Sequence, residues 1–388
     1  MRQPVRLHGY RRADGTYGIR NHIAVISTVA CANHVADLIA SGHPNAVALT
    51  HQHGCDQLGH DLELFENTLL GAAGNGNVAA VLVVGLGCEE VDASVLAKNA
   101  GKTGKPTDFV IIQEAGGTTL AVEAGREKIS KFAPSCNIPP SEMNWSDLIV
   151  GLKCGGSDFS SGMIANPAVG EAVKRLLDEG ARVIFGETTE LLGAEKIIHA
   201  RAKTPKIEEF ILSRMKAVED AASDMGVDIR GAQPSPGNIK GGLSTIEEKS
   251  LGAVCKIGDA VISNVLEFGE NCVEPGLSFM DTPGNDIEAL TGMAAGGAQL
   301  IIFTTGRGTP MGYAIAPVLK VTGSKRAALF MKENIDVDLS SFFHGGFSIK
   351  SSGEKIFGSV VECITGKRTK SEALGHREFA IHRVGPTL

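Results

Sequence analysis

The sequence predicts an α/β protein of two domains, each a mostly parallel sheet flanked by helices in a Rossmann-like three-layer arrangement. Short apolar, β-branched runs alternate with helical patterns along the 388 residues, and this rhythm is typical of parallel sheets. The chain has 48 glycines and only 5% aromatic residues, as in α/β enzymes that build their sites from loops. Turn residues at 133–141 mark a boundary, which predicts an N-terminal domain over 1–140 and a C-terminal domain over 141–388.

Four strands and three helices are predicted for the N-terminal domain. Each strand is a continuous apolar run, as expected for a strand that is buried on both faces. The predicted strands are 21–28, 46–50, 79–85 and 109–113, and the predicted helices are 34–40, 61–71 and 117–132.

The C-terminal domain repeats the alternation less regularly. Its predicted strands are 148–152, 182–186 and 300–304, and its predicted helices are 168–177 and 207–225. The stretch 231–242 holds two prolines and four glycines, a composition that predicts a loop.

Charge and composition exclude several classes of protein. The net charge of −7 argues against binding to nucleic acid, which requires a basic surface. No apolar run is long enough to span a membrane, and no apolar stretch follows the basic residues near the start, as a secretory signal would require. Eight scattered cysteines without a CxxC pair do not resemble a disulfide framework. We therefore expect a cytoplasmic protein with reduced thiols.

Polar residues occur where several predicted strands end. The loops 28–31, 51–56, 85–90 and 153–158 each contain one cysteine, and these are Cys31, Cys55, Cys88 and Cys154. Open α/β sheets bind ligands beyond the carboxyl ends of their strands, because loops and helix N-termini converge there. We therefore expect these loops to form one pocket.

A metal site is predicted within these loops. His51 and His53 are two residues apart in an extended segment, so both imidazoles could meet one ion with Cys55, although each histidine could equally be a satisfied polar residue. Glu90 occupies the place of the third glycine in the string Gly85–Glu90, which excludes a dinucleotide fingerprint. Glu89 or Glu90 is a candidate ligand or base, with a solvated acid at a helix start as the alternative for one of them. The predicted ligands are His51, His53, Cys55, Cys88, Glu89 and Cys154.

The remaining candidates bind or transform an anion. Two glycines after Cys154 let the backbone approach a ligand, while the side chains that follow could bind it or simply cap a helix. Arg307 lies between glycines at a strand end, an arrangement suited to bidentate carboxylate binding. Lys240 precedes a glycine pair that could form an anion nest. The catalytic candidates are Lys153, Asp158, Glu187, Lys240 and Arg307, and the substrate-binding candidates are Gly155, Gly156, Ser157, Asn166 and Thr305.

Several of these strings, taken in order, resemble a known enzyme family along nearly the whole chain. They include HQHGC at 51–55, GLGCE at 85–89, GLKCGGSD at 151–158, TIEEKSLG at 245–252, FMDTPG at 279–284 and FTTGRG at 303–308. The sequence resembles the catalytic subunits of altronate and galactarate dehydratases, a family that includes the large subunit of sulfolactate sulfo-lyase.

The resemblance implies an activity and its requirements. A dehydratase of this family would remove the α-proton and β-hydroxyl of a sugar acid to give a 2-keto-3-deoxy acid, with sulfite elimination from sulfolactate to give pyruvate as the alternative. The chemistry needs a base such as Asp158 or Glu187, and cations or a metal that stabilise the enediolate. The resemblance also implies a divalent metal, usually Fe²⁺ with Mn²⁺ as the alternative. It further implies a separate small subunit in place of the β-rich first domain of longer members, and an oligomer.

Two other classes remain open. An iron–sulfur hydro-lyase could bind a [4Fe–4S] cluster through Cys31, Cys88 and Cys154. A non-catalytic scaffold is the remaining alternative, but polar residues at so many strand ends disfavour it.

Overall fold

The computed structural model describes residues 6–345 and 348–385. Fourteen strands lie within these ranges, labelled here in chain order. They are β1 (Leu7–Arg11), β2 (Tyr17–Gly18), β3 (His22–Ser27), β4 (Ala46–Leu49), β5 (Val78–Gly85), β6 (Thr107–Ile111), β7 (Ser141–Met143), β8 (Ile149–Cys154), β9 (Arg182–Phe185), β10 (Ile262–Leu266), β11 (Leu277–Met280), β12 (Leu300–Thr304), β13 (Val318–Thr322) and β14 (Val337–Asp338).

Fifteen α-helices connect and cover these strands within the described residues. They are α1 (Asn33–Ala40), α2 (His60–Gly74), α3 (Ala93–Ala100), α4 (Ile112–Ala115), α5 (Thr118–Cys136), α6 (Asn166–Glu179), α7 (Glu195–Arg201), α8 (Pro205–Asp224), α9 (Ile229–Ala232), α10 (Pro236–Lys240), α11 (Ile246–Val254), α12 (Asp286–Ala295), α13 (Lys325–Phe330), α14 (Ile349–Ile364) and α15 (Lys370–Ala373). No described helix has both the length and the apolar character needed to cross a membrane.

Two parallel sheets form the frame of the protein. One has four strands in the order β4-β3-β5-β6, and the other has seven in the order β10-β11-β9-β8-β12-β13-β14. Neighbouring strands are parallel throughout both sheets. The central strands β5, β8 and β12 are buried along their whole length, which explains their unbroken apolar sequences. The predicted α/β fold class is confirmed.

A third, antiparallel sheet was not predicted, because its strands are short. It has the order β2-β1-β7, and Leu7 of β1 pairs with Met143 of β7. This pairing joins the beginning of the chain to the segment just after the proposed boundary at 140. The division into domains 1–140 and 141–388 stays a prediction.

The structure corrects two local predictions. Residues 231–242 do not form a plain loop, because α10 begins there with Pro236 at its first turn and the Ser235 side chain capping it, and the last residues of α9 also lie there. Residues 133–136 belong to the end of α5, which contains Pro134. In both places the turn-forming residues lie inside or next to helices rather than replacing them.

The two parallel sheets share buried contacts and a set of amide hydrogen bonds. Ile26 and Val81 of the four-stranded sheet belong to the same buried cluster as Leu290 and Phe303. Asn77 is fully buried. Its Oδ1 accepts from the amides of Ile19 (2.8 Å) and Arg20 (3.1 Å). Its Nδ2 donates to the carbonyls of Gln299 and Ile315, each at 2.9 Å. One side chain therefore connects three distant parts of the chain.

We expect the substitution Asn77→Ala to lower the free energy of unfolding by about 3 kcal/mol, because several buried backbone groups would lose their partner. Chemical denaturation of the full chain would measure the loss. The matched control is Asn137→Ala at an exposed position, where a change within about 0.5 kcal/mol is expected. Equal losses in both variants would contradict the role assigned to Asn77.

Candidate active site

A buried carboxylate lies at the centre of a charged cluster at the carboxyl end of the seven-stranded sheet. Glu187 follows β9 and has no exposed surface. Its Oε1 pairs with Lys153 Nζ of β8, and its Oε2 pairs with Lys256 Nζ, from the short helical turn after α11. The amide of Cys154 donates to Oε2 at 3.1 Å. Two separate predicted candidates, Lys153 and Glu187, are thus direct partners, and Lys256 is a partner that the sequence analysis missed.

The charges in this cluster keep both Glu187 and Lys153 ionised. Burial alone would raise the pKa of Glu187, but the charges of Lys153 and Lys256 outweigh it and hold that pKa below its ordinary value. Burial would lower the pKa of Lys153, yet Glu187 and Asp286 raise it well above its ordinary value. Asp286 Oδ1 lies 2.9 Å from Lys153 Nζ. The carboxylate of Glu187 and the ammonium of Lys153 are therefore both charged at neutral pH.

The backbone at Glu187 adopts an unusual conformation. Its φ of +71° and ψ of +63° lie in the left-handed region, which costs a non-glycine residue about 1–2 kcal/mol. A side chain on the preceding Gly186 would collide with Thr282 Oγ1, and that hydroxyl accepts a 2.7 Å hydrogen bond from the amide of Glu187. The two ion pairs hold the strained residue in place, since strain of this kind persists only where the surroundings impose it.

The loop after β8 brings several predicted residues together. Cys154 is buried, and its Sγ lies 3.0 Å from Ser157 Oγ and 3.5 Å from Asn166 Nδ2. Thr304 Oγ1 donates to Asn166 Oδ1 at 2.6 Å. A Cβ added to Gly155 would lie 2.6 Å from Asp286 Oδ1, so only glycine fits this turn.

The loops 154–158 and 305–308 contact each other. The amide of Arg307 donates to the carbonyl of Gly156 at 2.9 Å, and a Cβ on Gly306 would collide with the Asp158 carboxylate. Asp158 Oδ1 accepts from Ser160 Oγ at 2.6 Å and from the amide of Ser161 at 3.1 Å.

The guanidinium of Arg307 is exposed, and its Nη1 donates to the carbonyl of Gly237 at 2.6 Å. Thr305 Oγ1 accepts from the amide of Gly308 at 3.0 Å. The arginine and threonine therefore help shape the loop that lies against Gly156.

A cavity of about 270 Å³ opens beside this cluster. Its polar lining residues include Ser157, Asp158, Asn166 and Lys249, and apolar residues such as Phe159, Met163 and Leu251 also line it. Lys249 Nζ lies 3.7 Å from Glu190 Oε1. Burial and the charge of Glu187 raise the pKa of Glu190. The candidate Lys240 is exposed at the end of α10 and is not one of the residues lining the cavity.

Lys249, which the sequence analysis missed, lies in charged sequence that is typical of a solvated helix face, whereas Glu190 lies three residues after Glu187 in the segment that follows β9. A larger cavity of about 1110 Å³ involves Asn75, Ile149 and Gln299, where β5, β8 and β12 begin, so it lies away from the predicted site residues.

A second group forms where β3, β4 and β5 end. We call the loops 28–31, 51–56 and 86–90 the thiol edge. The amide of Ala30 donates to the carbonyl of His53 at 2.8 Å. Thr28 Oγ1 donates to Glu89 Oε1 at 2.6 Å. The three loops are therefore joined to one another by hydrogen bonds.

Two predicted ligands are already engaged by neighbouring groups. His51 is buried, with its Nε2 2.7 Å from the carbonyl of Ser27 and its Nδ1 accepting from the amide of His53. Burial lowers the pKa of His51 to about 4, so the ring is neutral and neither nitrogen is free. The Glu89 carboxylate accepts from Thr28 and from the amides of residues 86–88. Neither side chain has a free donor atom for a metal in this arrangement.

The thiol edge does hold another donor set that fits a metal ion. The ligand atoms of Cys55, Asp56 and Glu90 lie within 4.8 Å of one another, and they are the only such group among the described residues. The Asp56 carboxylate raises the pKa of the Cys55 thiol, so the edge concentrates negative charge. One thiolate with two carboxylates suits Fe²⁺ or Mn²⁺. Cys154 belongs instead to the buried cluster around Glu187.

The start of α12 contacts the Glu187 cluster directly. Asp286 pairs with Lys153, and Glu288 accepts from His382 Nδ1 at 2.8 Å. On the thiol edge, His53 Nε2 lies 3.1 Å from the carbonyl of Ile381, next to His382. The structure thus brings the predicted residues into two groups rather than into one set of ligands, and the thiol edge is linked to α12 through residues 381 and 382.

Two family models match successive parts of this chain. The model for "D-galactarate dehydratase/Altronate hydrolase, second domain" matches residues 9–137, and that for "D-galactarate/Altronate dehydratase, C-terminal" matches residues 145–387. The (2R)-sulfolactate sulfo-lyase subunit beta of Chromohalobacter salexigens is 37% identical over 97% of each chain. The altronate dehydratase of Escherichia coli is 33% identical over 98% of this chain and 78% of that protein. The galactarate dehydratase (L-threo-forming) of Escherichia coli is 31% identical over 97% of this chain and 76% of that protein.

We expect Glu187→Gln to destabilise the fold by about 3–5 kcal/mol, because two buried ammonium groups would face a neutral amide. Chemical denaturation would measure the change in free energy of unfolding. The control is Glu127→Gln, which removes one member of an exposed pair with Lys131 and is expected to leave the unfolding midpoint unchanged. A Glu187→Gln variant that unfolds like the wild type would show that the lysines do not depend on this carboxylate.

Proposed function

The chain belongs to the D-galactarate/altronate dehydratase family and is a lyase, and we propose that it dehydrates a sugar acid of the altronate or galactarate type. The product would be a 2-keto-3-deoxy acid, formed by removal of the α-proton and loss of the β-hydroxyl. The observation that carries this proposal is the 270 Å³ cavity lined by Ser157, Asp158, Asn166 and Lys249, beside the Glu187 cluster. Hydroxyl, amide and cationic groups of this kind suit a hydroxylated carboxylate.

The base in this proposal is Asp158. Removal of the α-proton requires an ionised carboxylate that reaches the substrate. Asp158 lines the cavity, whereas each oxygen of Glu187 pairs with a buried lysine. A carboxylate held by two ammonium groups is a poor proton acceptor, so Glu187 acts by positioning Lys153 and Lys256.

Positive charge near the cavity would stabilise the enediolate. The negative charge that develops on the substrate carboxylate needs preorganised cations. Lys249 lines the cavity, and the buried ammonium group of Lys256 lies 3.8 Å from Glu190 Oε2, the carboxylate that also faces Lys249. In this proposal Ser157 and Asn166 orient the substrate hydroxyls.

The proposed metal is Fe²⁺, with Mn²⁺ as the alternative, held at the thiol edge by Cys55, Asp56 and Glu90. The donor set fits such an ion, because the three ligand atoms lie within 4.8 Å of one another. When bound, the ion would act as a Lewis acid toward the departing hydroxyl. Support for a shared site comes from α12, which contacts Lys153 directly and His382, whose neighbour Ile381 contacts His53.

The proposed partner is a separate small subunit. The relative that matches this chain over 97% of both lengths is named as a subunit beta, while the match covers only 78% and 76% of the two dehydratases. A small chain would supply that part in a cytoplasmic oligomer.

Sulfolactate sulfo-lyase is the second candidate function. The specific observation in its favour is the 37% identity over 97% of both chains to a subunit of that enzyme, against 33% and 31% for the two dehydratases. The same proton abstraction would then expel sulfite and give pyruvate.

The test is a screen of altronate, galactarate and sulfolactate under anaerobic conditions with Fe²⁺. The purified chain is assayed with and without its small subunit. A 2-keto-3-deoxy product supports the dehydratase, and released sulfite supports the second candidate. No turnover of any of the three by the complete, iron-loaded complex would contradict both.

We expect Lys249→Met to lower kcat/KM by roughly 10- to 100-fold on whichever substrate is active, because a charged contact inside the cavity is worth about 1.5–3 kcal/mol. The matched control is Lys240→Met, which removes an exposed lysine outside the cavity and is expected to change kcat/KM less than the Lys249 variant. Steady-state kinetics would compare the two. A larger loss at Lys240 would show that the substrate binds on the α10 side instead.

A further inference from the structure

A further cavity lies where strands β3 and β4 begin, at the end of these strands opposite to the thiol edge. It has a volume of about 110 Å³, and His22 and Ala46, the first residues of the two strands, line it. Arg368 and Arg377, on either side of α15 in the sequence, line it as well. The length of β3, roughly 16 Å, separates this cavity from the thiol edge. It is therefore distinct from the proposed active site.

The cavity is positively charged, although the whole chain carries a net charge of −7. Three arginines line it, and Glu372 is the one carboxylate among its described lining residues. Arg20 already binds that carboxylate through two contacts, Nε to Oε1 at 2.6 Å and Nη2 to Oε2 at 2.9 Å. Arg368 and Arg377 form no ion pair with any residue that the structure describes. Two guanidinium charges at this cavity are therefore left without a counter-charge.

The ring of His22 adds a polar group to the cavity. His22 is half-buried, and within the described part of the chain neither of its ring nitrogens has a hydrogen-bond partner. Burial lowers the pKa of His22 to about 4, and the charges of Arg20 and Arg377 act in the same direction. The ring is therefore neutral and has one N–H that can donate to a ligand oxygen.

One part of the cavity lining is apolar. Ala46, Val47, Ala314 and Ala316 are all buried and line the cavity. Its 110 Å³ is space for more than one water-sized group, so a small organic anion fits. A carbon chain would gain from contact with these side chains, whereas inorganic phosphate has no apolar part to place there.

We propose that this cavity binds a small monocarboxylate with a short carbon chain. The guanidinium groups of Arg368 and Arg377 pair with its oxygens, since arginine and carboxylate form strong, charge-assisted hydrogen bonds. The N–H of His22 donates to one of the same oxygens, and the carbon chain lies against the alanines. This inference does not depend on the proposed function.

A bound carboxylate would join two distant parts of the chain. The ion pair of Arg20 with Glu372 already connects the start of β3 with α15. A ligand held by His22 on one strand and by the two arginines beside α15 would strengthen this connection. Because such a ligand binds only the folded chain, it raises the melting temperature.

The experiment titrates the full chain with propionate by isothermal titration calorimetry. We expect one site per chain with a Kd of roughly 1 mM or below. Propionamide, the neutral analogue of the same shape, and inorganic phosphate are titrated in parallel and are expected to bind more weakly. Saturating propionate is also expected to raise the melting temperature.

Variants separate this cavity from other sites. The double variant Arg368→Gln/Arg377→Gln is expected to bind propionate at least about 10-fold more weakly and to lose the rise in melting temperature. The matched control is Arg326→Gln, at an exposed arginine that does not line the cavity, and it is expected to bind like the wild type. Lys249→Met, in the proposed active site, is also expected to retain propionate binding. Because Arg368 and Arg377 are exposed, circular dichroism is expected to show native folding in the double variant.

Four results would overturn the inference. Absence of saturable propionate binding or unchanged binding in the double variant would show that the arginines do not form this site. Equal binding of propionamide would show that the charge of the ligand is not recognised. Tighter binding of phosphate than of propionate would replace the carboxylate with an inorganic anion. Failure of the sugar-acid and sulfolactate assays would count against the proposed function and leave this site intact.

Discussion

The ion pairs of Glu187 with Lys153 and Lys256 organise the carboxyl end of the seven-stranded sheet. Lys153 belongs to β8, Glu187 follows β9, and Lys256 follows α11. Each charge is buried, so none is tolerable without the others. Through the amide of Cys154, which donates to Glu187, this arrangement also fixes the start of the loop that carries Ser157 and Asp158. The cavity beside that loop depends on the same buried charges.

Sequence alone was sufficient for the fold class, for the four strands of the smaller parallel sheet and for β8, β9 and β12 of the larger one, but not for β10, β11, β13 and β14. Unbroken apolar runs correctly indicated the central strands, because burial on both faces leaves no alternation. Glycines beside Cys154 and Arg307 were interpreted as letting the backbone approach a ligand, and in the structure the two loops that carry them contact each other. The spacing of His51 and His53 predicted that both rings could bind one ion, but spacing does not reveal that backbone groups occupy both nitrogens of His51.

The residues that sequence reasoning missed share a physical cause. Lys249 occurs in a charged helical segment, and such a segment is usually solvated, whereas Lys256 follows the uncharged stretch 251–255 and Glu190 lies three residues after Glu187. Their burial depends on the packing of α11 against the helical turn Thr188–Leu191 that follows β9, which is a tertiary event without a local pattern. The pairing of Lys153 with Glu187 was likewise invisible, although each residue was identified, because 34 positions separate them.

The buried amide of Asn77 has a consequence for which substitutions the two sheets can accept during evolution. Apolar side chains in a shared core can be exchanged for others of similar volume, and the layers can then slide slightly over one another. Hydrogen bonds to the amides of Ile19 and Arg20 and to the carbonyls of Gln299 and Ile315 allow no such sliding, since they require fixed distances and angles. The mutual orientation of the two sheets is therefore set by directional hydrogen bonds. The apolar residues of the core can then be substituted during evolution while the thiol edge and the Glu187 cluster keep their relative positions.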